Sequence, residues 1–348
     1  MRSNRARRRR RVGRKPIKPV VLLLVVVILV TVGLVGLLVA HVVPKSSGSS
    51  MAIRSTTRHT MPVLKGVGLS PQQYTSSNFL AMLGNVHDDG SVVIWSGNWN
   101  DLANNGSTPY ALSRLAGQYG YKPIIVIGAG NLQPQDETSF VTTARNYARM
   151  YQPSYLGLGN EVNKLYANSP TAYATFKRWF SAAAVAVKQV SPSTSVFTTF
   201  QYEQLNGMNG GLSGRIDNPA ASEWGLLKDF PDADLLAFTT YPYMVYQTPA
   251  TIPANYYSRI RKHTSKPVAF TAIAWPSSEE APGYTSSPQE QADFVGRFAS
   301  LTKGLHPRFV VWPFLYDQGT SVPFAYTGLI NFNGAAKPAM SVWRNVTF

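Results

Sequence analysis

The sequence predicts an α/β fold, a (β/α)8 TIM barrel, preceded by one N-terminal transmembrane helix. Two patterns carry that expectation. Eight short β-branched runs alternate with helical stretches beyond residue 61, and a 24-residue apolar run flanked on one side by arginines lies ahead of them. Taken in order, each segment has its own physical warrant.

Residues 1–19 hold eight arginines and two lysines and no acid. The whole chain of 348 residues carries 33 Lys+Arg against 17 Asp+Glu, a formal charge of +16. Spread evenly, that charge would suggest a nucleic-acid binder. Removing the ten charges of the tail leaves +6 on the other 329 residues, an ordinary balance for a globular domain, so nucleic acid is not the expected partner. Residues 20–43 (VVLLLVVVILVTVGLVGLLVAHVV) are apolar apart from Thr31 and His41. At ~1.5 Å per residue they span about 36 Å, enough to cross a ~30 Å hydrocarbon core with some tilt. The run is too long, and Leu38-Val39-Ala40 too poor a cleavage site, for a removed signal peptide, so an uncleaved signal anchor is expected. The arginine cluster puts residues 1–19 in the cytoplasm, against anionic lipid head groups, and the rest outside. The expected location is therefore the cell membrane, single-pass. Residues 44–60 are rich in Ser and Thr without periodicity and read as a flexible stalk.

Residues 61–348 form the expected extracytoplasmic domain. Strands are expected at 63–69, 91–95, 123–127, 155–159, 195–201, 235–241, 267–273 and 308–315. Helical spacing fills 136–151, 171–190 and 288–301, and Ser169-Pro170 and Ser287-Pro288 supply helix starts. Near-continuous apolar strands call for a parallel sheet covered by helices. An open doubly wound sheet would need a phosphate-binding glycine turn after the first strand, and Gly66-Val67-Gly68-Leu69-Ser70-Pro71 does not match it.

In a barrel the chemistry belongs at the C-terminal strand ends. Trp95, Trp99, Asn160, Gln201, Tyr241, Tyr243, Trp275 and Trp312 all fall there in this reading. Aromatic faces stack on pyranose rings, and amides and carboxylates pair with hydroxyls, so the expected partner is a carbohydrate polymer or glycan. No cysteine is present, which excludes disulfides, thiolate zinc sites, iron–sulfur clusters and a thiol nucleophile. His59, His87, His263 and His306 are isolated, and no Gly-x-Ser-x-Gly elbow occurs, so neither a metal nor a cofactor is expected.

Three segments together resemble the clan A retaining glycoside hydrolases. They are Gly159-Asn160-Glu161 after the fourth strand, Thr240-Tyr241-Pro242-Tyr243 at the sixth, and Thr271 to Ser277 at the seventh. The look is nearest the arabinogalactan galactanase and β-1,3-glucanase-like branches and spans residues 63–345. The resemblance implies that Glu161 is the general acid/base, that Asn160 holds a sugar 2-hydroxyl, and that Tyr241 or Tyr243 hydrogen-bonds the nucleophile. The family motif at strand 7 would read Thr-Glu-x-Gly-Trp-Pro-Ser, which puts the nucleophile at Ala272. A methyl group cannot attack a sugar, and retaining chemistry needs a second carboxylate ~5–5.5 Å from the first. Three replacements are open: Glu203 after strand 5, Asp317 after strand 8, and Glu279 or Glu280 in the loop after strand 7. A pair ~6.5–9.5 Å apart would suit an inverting mechanism. Two function classes follow, a membrane-anchored glycoside hydrolase with a displaced second carboxylate and an inactive barrel that binds glycan or acts as a cell-surface scaffold.

Overall fold

The computed structural model describes residues 62–348 apart from 131, 209, 212–215, 279–283 and 320–323. The expected basic tail, membrane anchor and stalk lie outside the described residues, as do Glu279 and Glu280. Among the described residues no helix is long and apolar enough to cross a membrane.

Eight strands, β1 (Leu64–Gly68), β2 (Val92–Asn98), β3 (Lys122–Gly128), β4 (Tyr155–Leu158), β5 (Ser195–Gln201), β6 (Leu235–Thr240), β7 (Val268–Ile273) and β8 (Phe309–Trp312), close into a barrel in sequence order. Every neighbouring pair is parallel, and β1 pairs with β8 from Leu64↔Phe309 to Val67↔Trp312. Alternate residues on each strand face opposite sides. The inward set is one buried cluster that includes Ile94, Val126, Tyr155, Phe197, Ala237, Ala269 and Phe309. Phe309 meets Tyr155 and Phe197 edge-on with ring centroids 5.0 and 5.7 Å away, so the lower barrel is a solid aromatic plug. The outward set, with Val67, Trp95, Leu156, Phe238, Phe270 and Trp312, packs under the helices.

Those helices are α1 (Ser76–Asp89), α2 (Thr108–Tyr119), α3 (Glu137–Tyr151), α4 (Val162–Asn168), α5 (Pro170–Val190), α6 (Tyr202–Leu205), α7 (Pro288–Thr302) and α8 (Pro338–Asn345). The Ser-Pro starts behave as read: the Ser169 hydroxyl accepts from the Ala172 N–H, and the Ser287 hydroxyl from the Glu290 N–H. After β5 and β6, the described connections carry only the four-residue α6 and short 3-10 turns in place of a long helix. Pro219, Pro231, Pro242, Pro249 and Pro253 interrupt any helical run there, and fully buried Tyr256 and Tyr257 cover the sheet instead.

The first strand and the last helix are tied together below the barrel. On β1 the Lys65 side chain points outward, and its ammonium donates to the carbonyls of Trp343, Arg344 and Val346 at the end of α8 (2.6–3.0 Å). These are carbonyls that a helix terminus leaves without partners, and the cation also suits the negative end of the helix dipole. Beside them the Arg344 guanidinium meets buried Asp89 at 2.8 Å. Lys65→Met keeps the apolar stem and removes the donors. We expect it to lower stability by about 2 kcal/mol in chemical denaturation, with the fold retained; an unchanged midpoint would show the latch to be idle.

Candidate active site

The top of β4 is shaped by backbone conformation before any side chain acts. Gly159 has φ 86°, and a Cβ there would lie 2.6 Å from the ring of Phe176, so only glycine fits. Two residues on, Glu161 itself adopts φ 49°, ψ 52°, a left-handed conformation uncommon for a residue with a side chain. Strain of this kind persists only where the surroundings enforce it. They do: the Glu161 N–H donates to the Thr199 hydroxyl of β5 (2.7 Å), and that hydroxyl donates to Asn160 Oδ1 (2.9 Å). Buried Asn163 ties α4 to the end of β5, donating to the Gln201 carbonyl (3.0 Å) and accepting from the Gln201 N–H (2.8 Å).

The Glu161 carboxylate then has two partners. The Thr239 hydroxyl on β6 donates to Oε1 (2.6 Å), and the Lys164 ammonium donates to Oε2 (2.5 Å). Thr239 shares the inward parity of Leu235 and Ala237, so Glu161 lies on the inner side of the wall. Ala272 lies beside it. β6 and β7 pair as Phe238↔Phe270 and then Thr239↔Ala272, a one-residue bulge at Thr271 that sets Ala272 opposite Thr239 and returns Ile273 to the outer cluster. The position that the resemblance assigns to the nucleophile is thus a methyl group facing the threonine that holds Glu161.

The two other candidate carboxylates among the described residues, Glu203 and Asp317, are engaged elsewhere. Glu203 is only 1% exposed. Its Oε1 accepts from the hydroxyls of Thr240 (2.6 Å) and Tyr256 (3.0 Å), and its Oε2 from Gln201 Nε2 (2.6 Å) and the Tyr241 N–H (3.0 Å). Thr240 follows Thr239, so it points to the opposite face of β6, toward Tyr256 and Tyr257. The Glu203 carboxylate therefore ends behind the wall rather than across the mouth from Glu161, which corrects the expectation that β5 and β4 would present facing acids. Burial raises its pKa, and hydrogen bonds from Thr240, the Tyr241 N–H, its own N–H and Tyr256 oppose that shift. Asp317, 4% exposed, accepts from the Lys337 ammonium (2.6 Å) and the Gly328 N–H (2.8 Å). Lys337 also donates to the Ser277 hydroxyl (2.8 Å), so this pair braces the Trp-Pro-Ser turn after β7. Burial pushes Asp317 up and Lys337 down, while their mutual attraction opposes both shifts.

The tryptophans also depart from expectation. β2 runs on to Asn98, so Trp95 is mid-strand, on the outer face and 6% exposed. β8 stops at Trp312, which is outward, fully buried, and donates its indole N–H to the Thr327 carbonyl (2.7 Å). Trp275, 1% exposed, donates to the Ser286 hydroxyl (2.9 Å) and packs on Phe294. Trp99 is half-buried, edge-on to Phe140. Gln201 has both amide atoms engaged, by Glu203 and by the Gln204 N–H (2.6 Å). Tyr243 is buried, whereas Tyr241 is half-buried, and both carboxylates, Glu161 and Glu203, raise the Tyr241 phenol beyond the effect of burial. The mouth thus gathers Glu161, Asn160, Thr199, Thr239, Tyr241, Lys164 and Ala272. Thr199, Thr239 and Lys164 were missed; inward parity would have found the two threonines. Among the described residues no cluster of His, Cys, Asp and Glu could hold a metal ion.

No family model matches the sequence, and none of the curated proteins does. Solved structures do. An exo-β-1,4-mannosidase from Opitutaceae bacterium strain TAV5 aligns with 81% of this chain and 58% of its own, at 16% identity and TM-score 0.55. The GH53 catalytic domain of Ignisphaera aggregans aligns with 80% of this chain and 95% of its own, at 17% identity and TM-score 0.54. A family 17 β-1,3-glucanosyltransferase from Rhizomucor miehei aligns over 82% and 98%, at 14% identity and TM-score 0.54. The chain spans about six-tenths of the mannosidase. The likeness is one of fold, a closed (β/α)8 barrel shared with these glycoside hydrolases.

The environment of Glu203 generates a test of its position. A folded-state pKa raised above the unfolded value means that the native state binds the proton more tightly. In the window from the raised value down to ~4.3, stability therefore increases as pH falls. Glu203→Gln removes this term. We expect the melting temperature of the wild type, measured relative to the variant, to climb on acidification from pH 7 toward 4.5. A constant difference would place Glu203 in a solvated site.

Proposed function

We propose that this protein is a glycan-binding barrel of glycoside hydrolase architecture that keeps the strand-4 acid and lacks the partner needed for double displacement. The observation that carries the reading is Ala272 set opposite Thr239 on the inner wall, beside Glu161. Thr239 and Lys164 both donate to Glu161, so each of its oxygens accepts a hydrogen bond within the protein. Glu203 and Asp317 serve as buried acceptors. What remains at the mouth is suited to hydroxyl recognition: a carboxylate, an amide, threonine hydroxyls and the Tyr241 phenol. The mannosidase and glucanosyltransferase named above are the kind of relatives whose carbohydrate partners support a glycan here.

The same proposal places the barrel outside the cell, held by residues 20–43 with residues 1–19 cytoplasmic. The length of the apolar run and the one-sided charge support it. A second reading, hydrolysis with Glu161 as acid/base, is favoured by one observation, the left-handed Glu161 backbone braced by Thr199. Glu279 or Glu280 would then be the second carboxylate.

A glycan array probed with the full chain, paired with a reducing-end assay, separates the two. We expect capture of one glycan class, no released sugar, and binding retained in Glu161→Gln. Turnover by the wild type that disappears in Glu161→Gln would overturn the binding reading. Turnover appearing only in Ala272→Glu would show that the nucleophile alone is missing.

A further inference from the structure

The base of the barrel, at the end away from the mouth, carries a charge pattern that the site does not use. All eight strands are parallel, so every turn that leads into a strand lies at this end. Lys122 opens β3, Lys262 ends the 3-10 turn before β7, and Lys303 and Arg308 lie between α7 and β8. All four are exposed, and none has a side-chain hydrogen bond or ion pair among the described residues. β3 lies across the barrel from β7, so these cations are spread around the base.

Other cations at this end are committed within the protein. Lys65, Arg261 and Lys266 hold backbone carbonyls, which leaves their charge uncompensated. Arg344 and Lys188 are paired with Asp89 and Asp234. The remaining acids of the base, among the described residues, are Asp88 and Asp232. The base is therefore strongly positive, although residues 62–348 as a whole carry only 20 Lys+Arg against 17 Asp+Glu. A cation at a helix C-terminus has a structural reason, and Lys303 has one after α7. Lys122 and Arg308 belong to strand entries and lie in no helical last turn.

The chain also enters the barrel here. The Leu64 N–H donates to the Arg308 carbonyl (3.2 Å), so residue 62, the first described, lies beside one of the four cations. Eighteen residues, 44–61, separate it from the apolar run of residues 20–43. A flexible Ser/Thr-rich stretch of that length would have a root-mean-square span of about 25 Å. Such a tether keeps the base nearer to the bilayer than the mouth. Attraction of cations to anionic lipid acts within about 8 Å at physiological ionic strength, which the tether lets the base reach. Met150, 57% exposed at the end of α3, offers an apolar side chain at the same end.

We propose that the base of the barrel docks on anionic phospholipid head groups of the membrane that anchors it, which turns the Glu161 mouth away from the bilayer. This surface is distinct from residues 1–19, which meet the opposite leaflet in the same orientation. The proposal rests on the membrane-anchored reading, and the test separates the two.

The chain has no cysteine, so a single probe can be placed at either end. Ser154→Cys labels an exposed position at the base, and Asn105→Cys labels one beyond β2 at the mouth end. Each labelled full chain is reconstituted into nanodiscs, and energy transfer to a head-group dye reports which end approaches the lipid. In an equal mixture of phosphatidylglycerol and phosphatidylcholine, strong transfer is expected from position 154 and weak transfer from position 105. Phosphatidylcholine alone should lower the transfer from 154, as should ~1 M NaCl, where the Debye length is about 3 Å. The combined variant Lys122→Gln, Lys262→Gln, Lys303→Gln and Arg308→Gln should lower it as far, at roughly fivefold in lipid affinity per residue, with the melting temperature little changed. Transfer from 154 that ignores lipid charge, salt and the variant would overturn the docking surface. No response to phosphatidylglycerol, together with polygalacturonate binding that the variant loses, would also overturn it and assign the base to acidic polysaccharide. Release of the full chain from membranes by alkaline carbonate would remove the anchor reading alone. The same two probes, with the chain added to vesicles from solution, then decide the docking surface.

Discussion

The pleat of a closed barrel wall governs the chemistry of this protein. Successive residues on a strand must point to opposite faces, and closure of β1 onto β8 leaves no edge where that rule could relax. On β6 the consequence is stark: Thr239 turns in and holds Glu161, while its neighbour Thr240 turns out and holds Glu203. Two carboxylates that follow adjacent strands are thereby held from opposite faces of β6. The bulge at Thr271 is the one place where the alternation slips, and it slips so that Ala272 faces Thr239.

Burial then decides what each carboxylate can do. Glu203 is taken out of water without a cation and is compensated by four neutral donors, two of them hydroxyls from the aromatic layer and from β6. Asp317 is compensated by a cation, Lys337, which also pins the turn after β7. Both arrangements hold a side chain in place and leave little for a substrate. Glu161 is different, because its partners are one threonine and one lysine that is itself partly exposed, so a ligand can compete for either. The mouth is polar and braced through backbone strain at Glu161.

Much of this was legible in the sequence. Eight β-branched runs located the eight strands, the fifth residue for residue, and two Ser-Pro pairs located helix starts, because both signals are local. The site was legible in part. Glu161 and Ala272 were found by resemblance, yet Trp95 and Trp312 were read as mouth residues when they belong to the outer layer. For Trp95 the error was one of strand ends, since β2 extends to Asn98; for Trp312, which does end β8, it was one of face. Counting parity from the apolar inward set would have removed both and brought in Thr199 and Thr239.

The sequence by itself determined the barrel, its strand order and the absence of a carboxylate at the seventh strand, since periodicity and residue identity are properties of the chain alone. Only the tertiary structure decided which partners each acid meets. That outcome depends on register, on a single bulge and on partners 37 to 78 residues away, such as Thr240 for Glu203 and Thr239 for Glu161. No local pattern encodes such distances. They are set when the strands close and each polar group buried in the wall must find a donor.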